Sequence, residues 1–315
     1  MANIRDIAKL SGYSVATVSR VLNEHPYVSE EKRAKILKIM HELDYIPNSK
    51  ARDLSSGKSK HIAVMIPYSN HPYSEKIVSG ILNAAFRDGY KVTLLPTNYD
   101  LEVEKRYLDD LAAKAWDGMI ITSKKSSFEQ IASYLKHAPI VCCEDTADFP
   151  IACVSIKREE SYIDLFTNLK KQGYRTIGLT VGRTEKESAS TGLILRSYKE
   201  VIGSLEETML VRNCRSFEDG IQAGIHFAKL KDLEVIVTNG DDVAAGILQQ
   251  LSQEKVIVIG EENLLSSQLL NFSTIDHHID KCGEAAFQLL LEGKIRTVSI
   301  PYTFIKRHKK SPRQN

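Results

Sequence analysis

In the stretch Gly12-Tyr13-Ser14-Val15-Ala16-Thr17-Val18-Ser19-Arg20-Val21-Leu22-Asn23, hydroxyls, one guanidinium and one amide alternate with small apolar residues. Ser14 is a strong helix N-cap. A helix over Val15–Leu22 turns Val18, Val21 and Leu22 to one side and leaves Val15, Ala16, Ser19 and Arg20 on the other. A solvated helix face is normally rich in Lys and Glu, whereas this one is small and hydroxylated, which suits insertion into the major groove of DNA. There Val15 and Ala16 can touch base edges or thymine methyls, and Arg20 can pair with guanine O6 and N7. Ser14, Thr17, Ser19 and Asn23 are spaced to bond phosphates, which orient a reading head without reading sequence. A plain three-helix bundle is the blander alternative, and it has no use for such a face.

The elements that must hold this helix are legible around it. Asn3 caps a helix over Ile4–Leu10, with Ile4, Ile7, Ala8 and Leu10 near one face, and Gly12 permits the turn. Ser29-Glu30-Glu31 opens a third helix running to about Leu43, with Ala34, Ile36, Leu37, Met40 and Leu43 as its apolar stripe. Residues 1–46 therefore read as a helix-turn-helix DNA-binding domain. Pro47-Asn48 stops the third helix, and Asn48 to Gly57 is a cap, about two helical turns and a Gly/Ser/Lys linker, so 47–60 reads as a hinge. A helix that short is marginal in water and folds only with help. Charge follows the same division: residues 1–60 hold 11 Lys+Arg against 7 Asp+Glu, leaving 31 against 33 for the rest, as binding to a polyanion favours.

From His61 the period changes. Ile62–Ile66, Val92–Leu95, Met119–Ile121, Ile140–Cys142, Ile177–Leu179, Val235–Val237 and Val256–Ile259 are continuous apolar runs separated by helical stretches such as Glu75–Asp88. Short buried strands alternating with helices predict an α/β core, residues 61–315, of doubly wound parallel sheets with ligands at the strands' carboxyl ends. Gly89-Tyr90 and Gly173-Tyr174 punctuate helix-to-strand passages and suggest two similar halves. Cysteines 142, 143, 153, 214 and 282 form no Cys-x-x-Cys pair and read as free thiols. With no signal segment and no apolar run near the ~20 residues of a membrane helix, the protein is expected in the cytoplasm. Gly-x-Ser-x-Gly, the phosphate-loop motif and His-Glu-x-x-His do not occur, so no enzyme, metal or cofactor is expected. Asp276, His277, His278 and Asp280 could tempt a metal reading, but adjacent histidines point different ways and a structural role is favoured.

Asn3-Ile4-Arg5-Asp6-Ile7-Ala8, Ser14 to Asn23, and Leu43-Asp44-Tyr45-Ile46-Pro47-Asn48 closely resemble the amino-terminal signature of the LacI/GalR repressor family. That resemblance implies base reading by Val15, Ala16 and Arg20, phosphate contacts that include Tyr45 and Asn48, and a homodimer on a near-palindromic operator. It implies that Leu54 of the hinge helix wedges into the minor groove, with Asp53 an unusual neighbour. It also implies a two-lobed, periplasmic-binding-protein-like core, lobe one about 61–155 plus 278–298 and lobe two about 156–275 plus 299–308. Ser69, Asn70, Tyr73, Thr122, Ser123, Asp241 and Glu262 are the effector-cleft positions it implies.

Two departures stand out. Sugar-binding members carry an arginine four residues before the aromatic at Tyr198, where this chain has Ile194, and their Asp-Asn after the crossover strand is replaced near Ile156-Lys157. Isoleucine cannot supply an arginine's planar fork. His25–Arg33 and Thr93–Tyr99 resemble the catabolite-control branch of the family, which implies control by serine-phosphorylated phosphocarrier protein HPr. At the matching contact region, however, this chain has Lys281 and Cys282 before Gly283, with Gln288 following. A DNA-binding repressor of carbon-metabolism genes is the leading expectation; the alternative is a small-molecule binding protein whose head is secondary or vestigial.

Overall fold

The computed structural model describes residues 3–23, 25–46, 59–69, 72–251 and 256–307. The chain divides into two compact units, Met1–Lys60 and His61–Asn315.

In the first unit, helices α1 (Ile4–Ser11), α2 (Val15–Leu22) and α3 (Glu30–Glu42) close on a small core of Ile7, Ala8, Val18, Val21, Val28 and Ile36. Asn3 caps α1 in a reciprocal capping box with Asp6. Gly12 ends α1 at φ 74°, a left-handed geometry that glycine adopts without strain. Two expected stripes shift. Leu10 is 59% exposed and Ser11 is buried, because α1 turns Ile4, Ile7, Ala8 and Ser11 inward at helical spacing. Ala34 and Leu37 are exposed, and α3 packs through Ile36, Ile39, Met40 and Leu43 instead.

The second unit contains β1 (His61–Ile66), β2 (Lys91–Pro96), β3 (Met119–Ile121), β4 (Ile140–Cys142), β5 (Ala152–Ile156), β6 (Ile177–Thr180), β7 (Leu210–Val211), β8 (Val235–Val237), β9 (Ile257–Glu261), β10 (Ser273–Asp276), β11 (Thr297–Ile300) and β12 (Thr303–Ile305). They form two six-stranded sheets, β11-β5-β4-β3-β1-β2 and β12-β10-β9-β8-β6-β7. Every ladder is parallel except β12 on β10. Its helices are α4 (Pro72–Arg87), α5 (Leu101–Ala112), α6 (Phe128–Ala132), α7 (Arg158–Lys171), α8 (Ala189–Val201), α9 (Phe217–Phe227), α10 (Asp241–Leu248), α11 (Leu265–Leu269) and α12 (Ile279–Glu292).

Helices cover both faces of each sheet, which is why the strands read as unbroken apolar runs. In lobe one, Ile62, Val64 and Ile66 of β1 face α4 and α12, while Ala63 and Met65 face α5. In lobe two, Ile177 and Leu179 pack toward α7 and α8, while Ile236 and Val258 pack toward α9 and α10. Helices α4 and α12 meet at two glycines. A Cβ on Gly80 would lie 2.0 Å from the Asp280 carbonyl oxygen, and one on Gly283 2.2 Å from that of Ile77.

The chain passes between sheets three times: after β5, after β10, and between β11 and β12. The last passage falls at Pro301-Tyr302 rather than at 298/299. β11 stays paired with β5 through Ile300, and Pro301 has no N–H to extend a ladder.

Candidate nucleic-acid interface and interlobe cleft

The Ser14 hydroxyl accepts the Thr17 amide at 3.2 Å and lies 3.0 Å from the Thr17 hydroxyl, fixing the start of α2. Below that cap, Val18 and Val21 are buried, while Ser14, Val15, Ala16, Arg20 and Asn23 are exposed and Thr17 and Ser19 half-buried. These seven exposed or half-buried residues thus lie on or beside one short helix whose outer side bears a single cation. The loop after α2 is fixed from α3: Arg33 Nη2 donates to the His25 carbonyl at 2.9 Å. Tyr45 is half-buried against the head's core. Asn48 and Leu54 lie outside the described residues, as does most of the hinge.

The effector-cleft residues divide. Thr122 is buried and donates its hydroxyl to the Met65 carbonyl at 3.0 Å, so it braces β3 against β1. Ser123 lies 3.0 Å from the Tyr99 hydroxyl, and Arg183 of lobe two stacks over the Tyr99 ring at 4.3 Å. Burial pushes the Tyr99 phenol above its usual range. Ser69 borders a hollow made wholly of lobe-one residues, among them Ile66, Ser74, Leu82 and Leu94. Asn70 lies outside the described residues. Asp241 has no exposed surface: one oxygen accepts the Leu264 amide at 2.6 Å and the other pairs with Thr274 Oγ1 at 2.6 Å. Burial pushes its carboxyl up to about 7. Glycine at 260 lets the carboxylate, at the start of α10, press onto β9, where a Cβ would lie 1.9 Å away.

Tyr73 and Glu262 lie beside one charged network whose other members come from distant parts of the chain. Arg158, the first residue of α7, is 13% exposed; its Nη1 donates to Glu261 at 3.0 Å, and both its terminal nitrogens lie 3.3 Å from Glu262 Oε1. His277 Nδ1 lies 3.1 Å from the same oxygen, and its Nε2 lies 3.0 Å from the Ser161 hydroxyl. The Tyr162 hydroxyl donates to Glu261 at 2.6 Å. From lobe one, Lys76 Nζ donates to the Glu262 carbonyl at 2.5 Å and lies 3.9 Å from the Asp276 carboxylate. Burial opposes the Arg158 charge, but Tyr162, Glu262 and Glu261 outweigh it and hold the guanidinium more firmly protonated than usual. Burial likewise pushes Glu262 up, yet His277, Arg158 and Lys76 overcome it and bring the carboxyl down to about 2. Burial dominates at Glu261, raising it, and at Tyr73, whose phenol is held well above its usual range.

Glu261, Glu262 and His277 have ligand atoms within 4.8 Å of one another, the spacing of a cation site. The cation present there is the chain's own Arg158. The neighbouring histidines diverge, His277 into this network and His278 toward Thr303 Oγ1 at 3.0 Å. Ile194 and Tyr198 are buried in the lobe-two core, so the position where an arginine would clamp a sugar is used for packing. Cys282 is buried, and Gln288 pairs with Asp88 at 3.3 Å.

A three-helix head and a two-lobed α/β core give the architecture, and function has to be argued from their sites and relatives. Residues 3–48 match the model of the lacI family of bacterial regulatory proteins, and residues 59–308 that of periplasmic binding proteins and sugar-binding domains of the LacI family. The chain belongs to the LacI family and is a DNA-binding transcriptional regulator, not an enzyme. It is 42% identical to catabolite control protein B of Bacillus subtilis (strain 168), covering 98% of this chain and 100% of that one. It is 32% identical to the NTD biosynthesis operon regulator NtdR of the same organism, with 97% of each chain covered. The crystal structure of the lac repressor dimer bound to operator and an anti-inducer matches with TM-score 0.83 and 21% identity, covering 97% of this chain and 98% of that one. Among the described residues, no helix is long and apolar enough to cross a membrane.

Proposed function

We propose that this chain is a homodimeric cytoplasmic repressor of carbon-metabolism genes, acting in catabolite repression. The observation that carries it is the outer face of α2, where Val15, Ala16 and Arg20 stand exposed on a capped, tightly cored head. Val15 and Ala16 choose among base edges and Arg20 reads guanine. Ser14, Thr17, Ser19, Asn23, Tyr45 and Asn48 hold phosphates, and Leu54 wedges the minor groove at the operator centre. Residues 1–46 form the head, 47–60 the hinge and 61–315 the effector and dimerisation core. The 42% identity to catabolite control protein B supports the regulated process. Dimerisation is supported by large apolar side chains left exposed on both lobes: Leu82, Phe86 at 86% and Leu94 on lobe one, Leu265 at 65% and Leu269 at 74% on lobe two. Control comes from a cleft ligand or from serine-phosphorylated HPr.

Selection of bound duplexes from a random DNA pool, with sedimentation of the free protein and of the complex, tests this reading. It predicts a near-palindromic consensus and two chains per duplex, with affinity falling steeply as salt rises. A pool that yields no consensus would return the protein to the alternative, a small-molecule binder with a vestigial head. Titrating phosphorylated HPr into the operator complex decides between the two modes of control.

A further inference from the structure

The network around Arg158 uses up the acidic side of the cleft. Glu261 ends β9 and Glu262 follows it, where an α/β lobe presents ligand-binding groups. In this chain those carboxylates already hold a guanidinium, at 3.0 and 3.3 Å, that enters from the residue opening α7. His277, in the second passage between the lobes, closes on the same oxygen at 3.1 Å. This network reaches lobe one through Lys76, whose ammonium meets the Glu262 carbonyl at 2.5 Å and lies 3.9 Å from the Asp276 carboxylate. One connected set of bonds therefore joins α4 of lobe one, the entry to α7, the end of β9 and the segment after β10. Two of these, the entry to α7 and the segment after β10, are passages of the chain between the lobes.

We infer that Arg158 is a built-in occupant of the strand-end subsite of lobe two, with Glu262 as its counter-ion, and that Lys76, bonded to the carbonyl of that same Glu262, latches the filled subsite to lobe one without an added ligand. A cationic or hydroxyl-bearing ligand at this subsite would have to displace a guanidinium already paired with two buried carboxylates. Such displacement leaves a buried charge uncompensated, the costly outcome for a buried ion pair. An anion would meet Glu261 and Glu262 directly. Effector chemistry at this end of the cleft is thus replaced by the chain's own side chains. Any ligand that modulates the protein is left the other end, beside Tyr99, Ser123 and Arg183.

The test uses the full chain. Arg158→Ala empties a guanidinium-shaped site, which ethylguanidinium at a few millimolar should refill. The melting temperature is expected to fall by about 10 °C, to recover with ethylguanidinium and to ignore ethylurea, while the wild type responds to neither. Lys76→Met leaves the partners of Arg158 in place and removes the bond to the Glu262 carbonyl together with the Asp276 ion pair. It should raise the radius of gyration of the free protein in solution scattering and change operator affinity by about fivefold or more, and it keeps the test open should Arg158→Ala fail to fold. Wild-type melting in Arg158→Ala, a loss that ethylguanidinium does not repair, equal stabilisation of the wild type by the probe, or unchanged scattering in Lys76→Met would each overturn the latch. Only the affinity arm rests on the operator-binding reading; the rescue and the scattering stand or fall without DNA.

Discussion

The outer face of α2 and the carboxyl ends of β9 and β10 both collect polar side chains, and the two treat them in opposite ways. On α2 the Arg20 and Asn23 side chains and the Val15-Ala16 pair are turned to solvent, over a core of six buried residues that holds the helix still. At the strand ends, Arg158, Glu261, Glu262, His277 and Asp241 are withdrawn from water and bonded to one another or to nearby backbone. Both regions are preorganised, but only the first leaves its groups open to a partner. The fold of a ligand-binding core therefore does not guarantee an open ligand site: the same strand-end geometry that gathers charged groups lets them neutralise each other.

This contrast predicts that cleft substitutions change stability and head substitutions change recognition. The largest effect belongs to Glu262→Ala, which leaves Arg158 and His277 buried without their shared oxygen. Thermal unfolding should show a loss of about 3–5 kcal/mol, and wild-type melting would break the contrast at once. The two buried acids should then diverge in pH dependence. Glu262, held near 2 against an ordinary 4.5, contributes stability that is present above about 4.5 and lost as pH falls toward 2. Asp241, raised to about 7 from 3.8, contributes stability that is present below about 4 and lost as pH rises through 7. In urea titrations between pH 4 and 7, Asp241→Asn should flatten the decline; a steeper decline would mean that Thr274 and Leu264 stabilise the charged form more than burial opposes it. Ser14→Ala removes the α2 cap and should cost the head about 1 kcal/mol, leaving the melting of the core unchanged. Smallest in stability, within about 0.5 kcal/mol, is exchange of Val15 and Ala16 for other small residues, which should nevertheless change the bases selected from a random pool.

Much of this was readable from local pattern. Caps, the turn glycine and the exposed small face of α2 are nearest-neighbour signals, and apolar runs marked β1, β3, β4, β6, β8 and β9 because both faces of those strands are buried. Strand β10 was harder: Ser273-Thr274-Ile275-Asp276 looks polar, yet it is buried because Thr274 pairs with Asp241 and Ser273 receives the Arg307 amide. The cleft network was out of reach for a different reason. Arg158 meets Glu261 and His277 across 103 and 119 residues of chain, so only the folded topology joins them. The available sign was indirect: the changed pair Ile156-Lys157 directly precedes the arginine that fills the site.

The central claim is that the exposed face of α2 reads base sequence. Fluorescence anisotropy at one fixed salt concentration, comparing wild type and Arg20→Ala on the selected operator and on a scrambled duplex of equal length, tests it most directly. Arg20→Ala should weaken operator binding by about 1–3 kcal/mol, roughly 5- to 150-fold, while binding to the scrambled duplex changes little. Equal losses on both duplexes would make Arg20 a phosphate contact, and no loss on either would contradict the account.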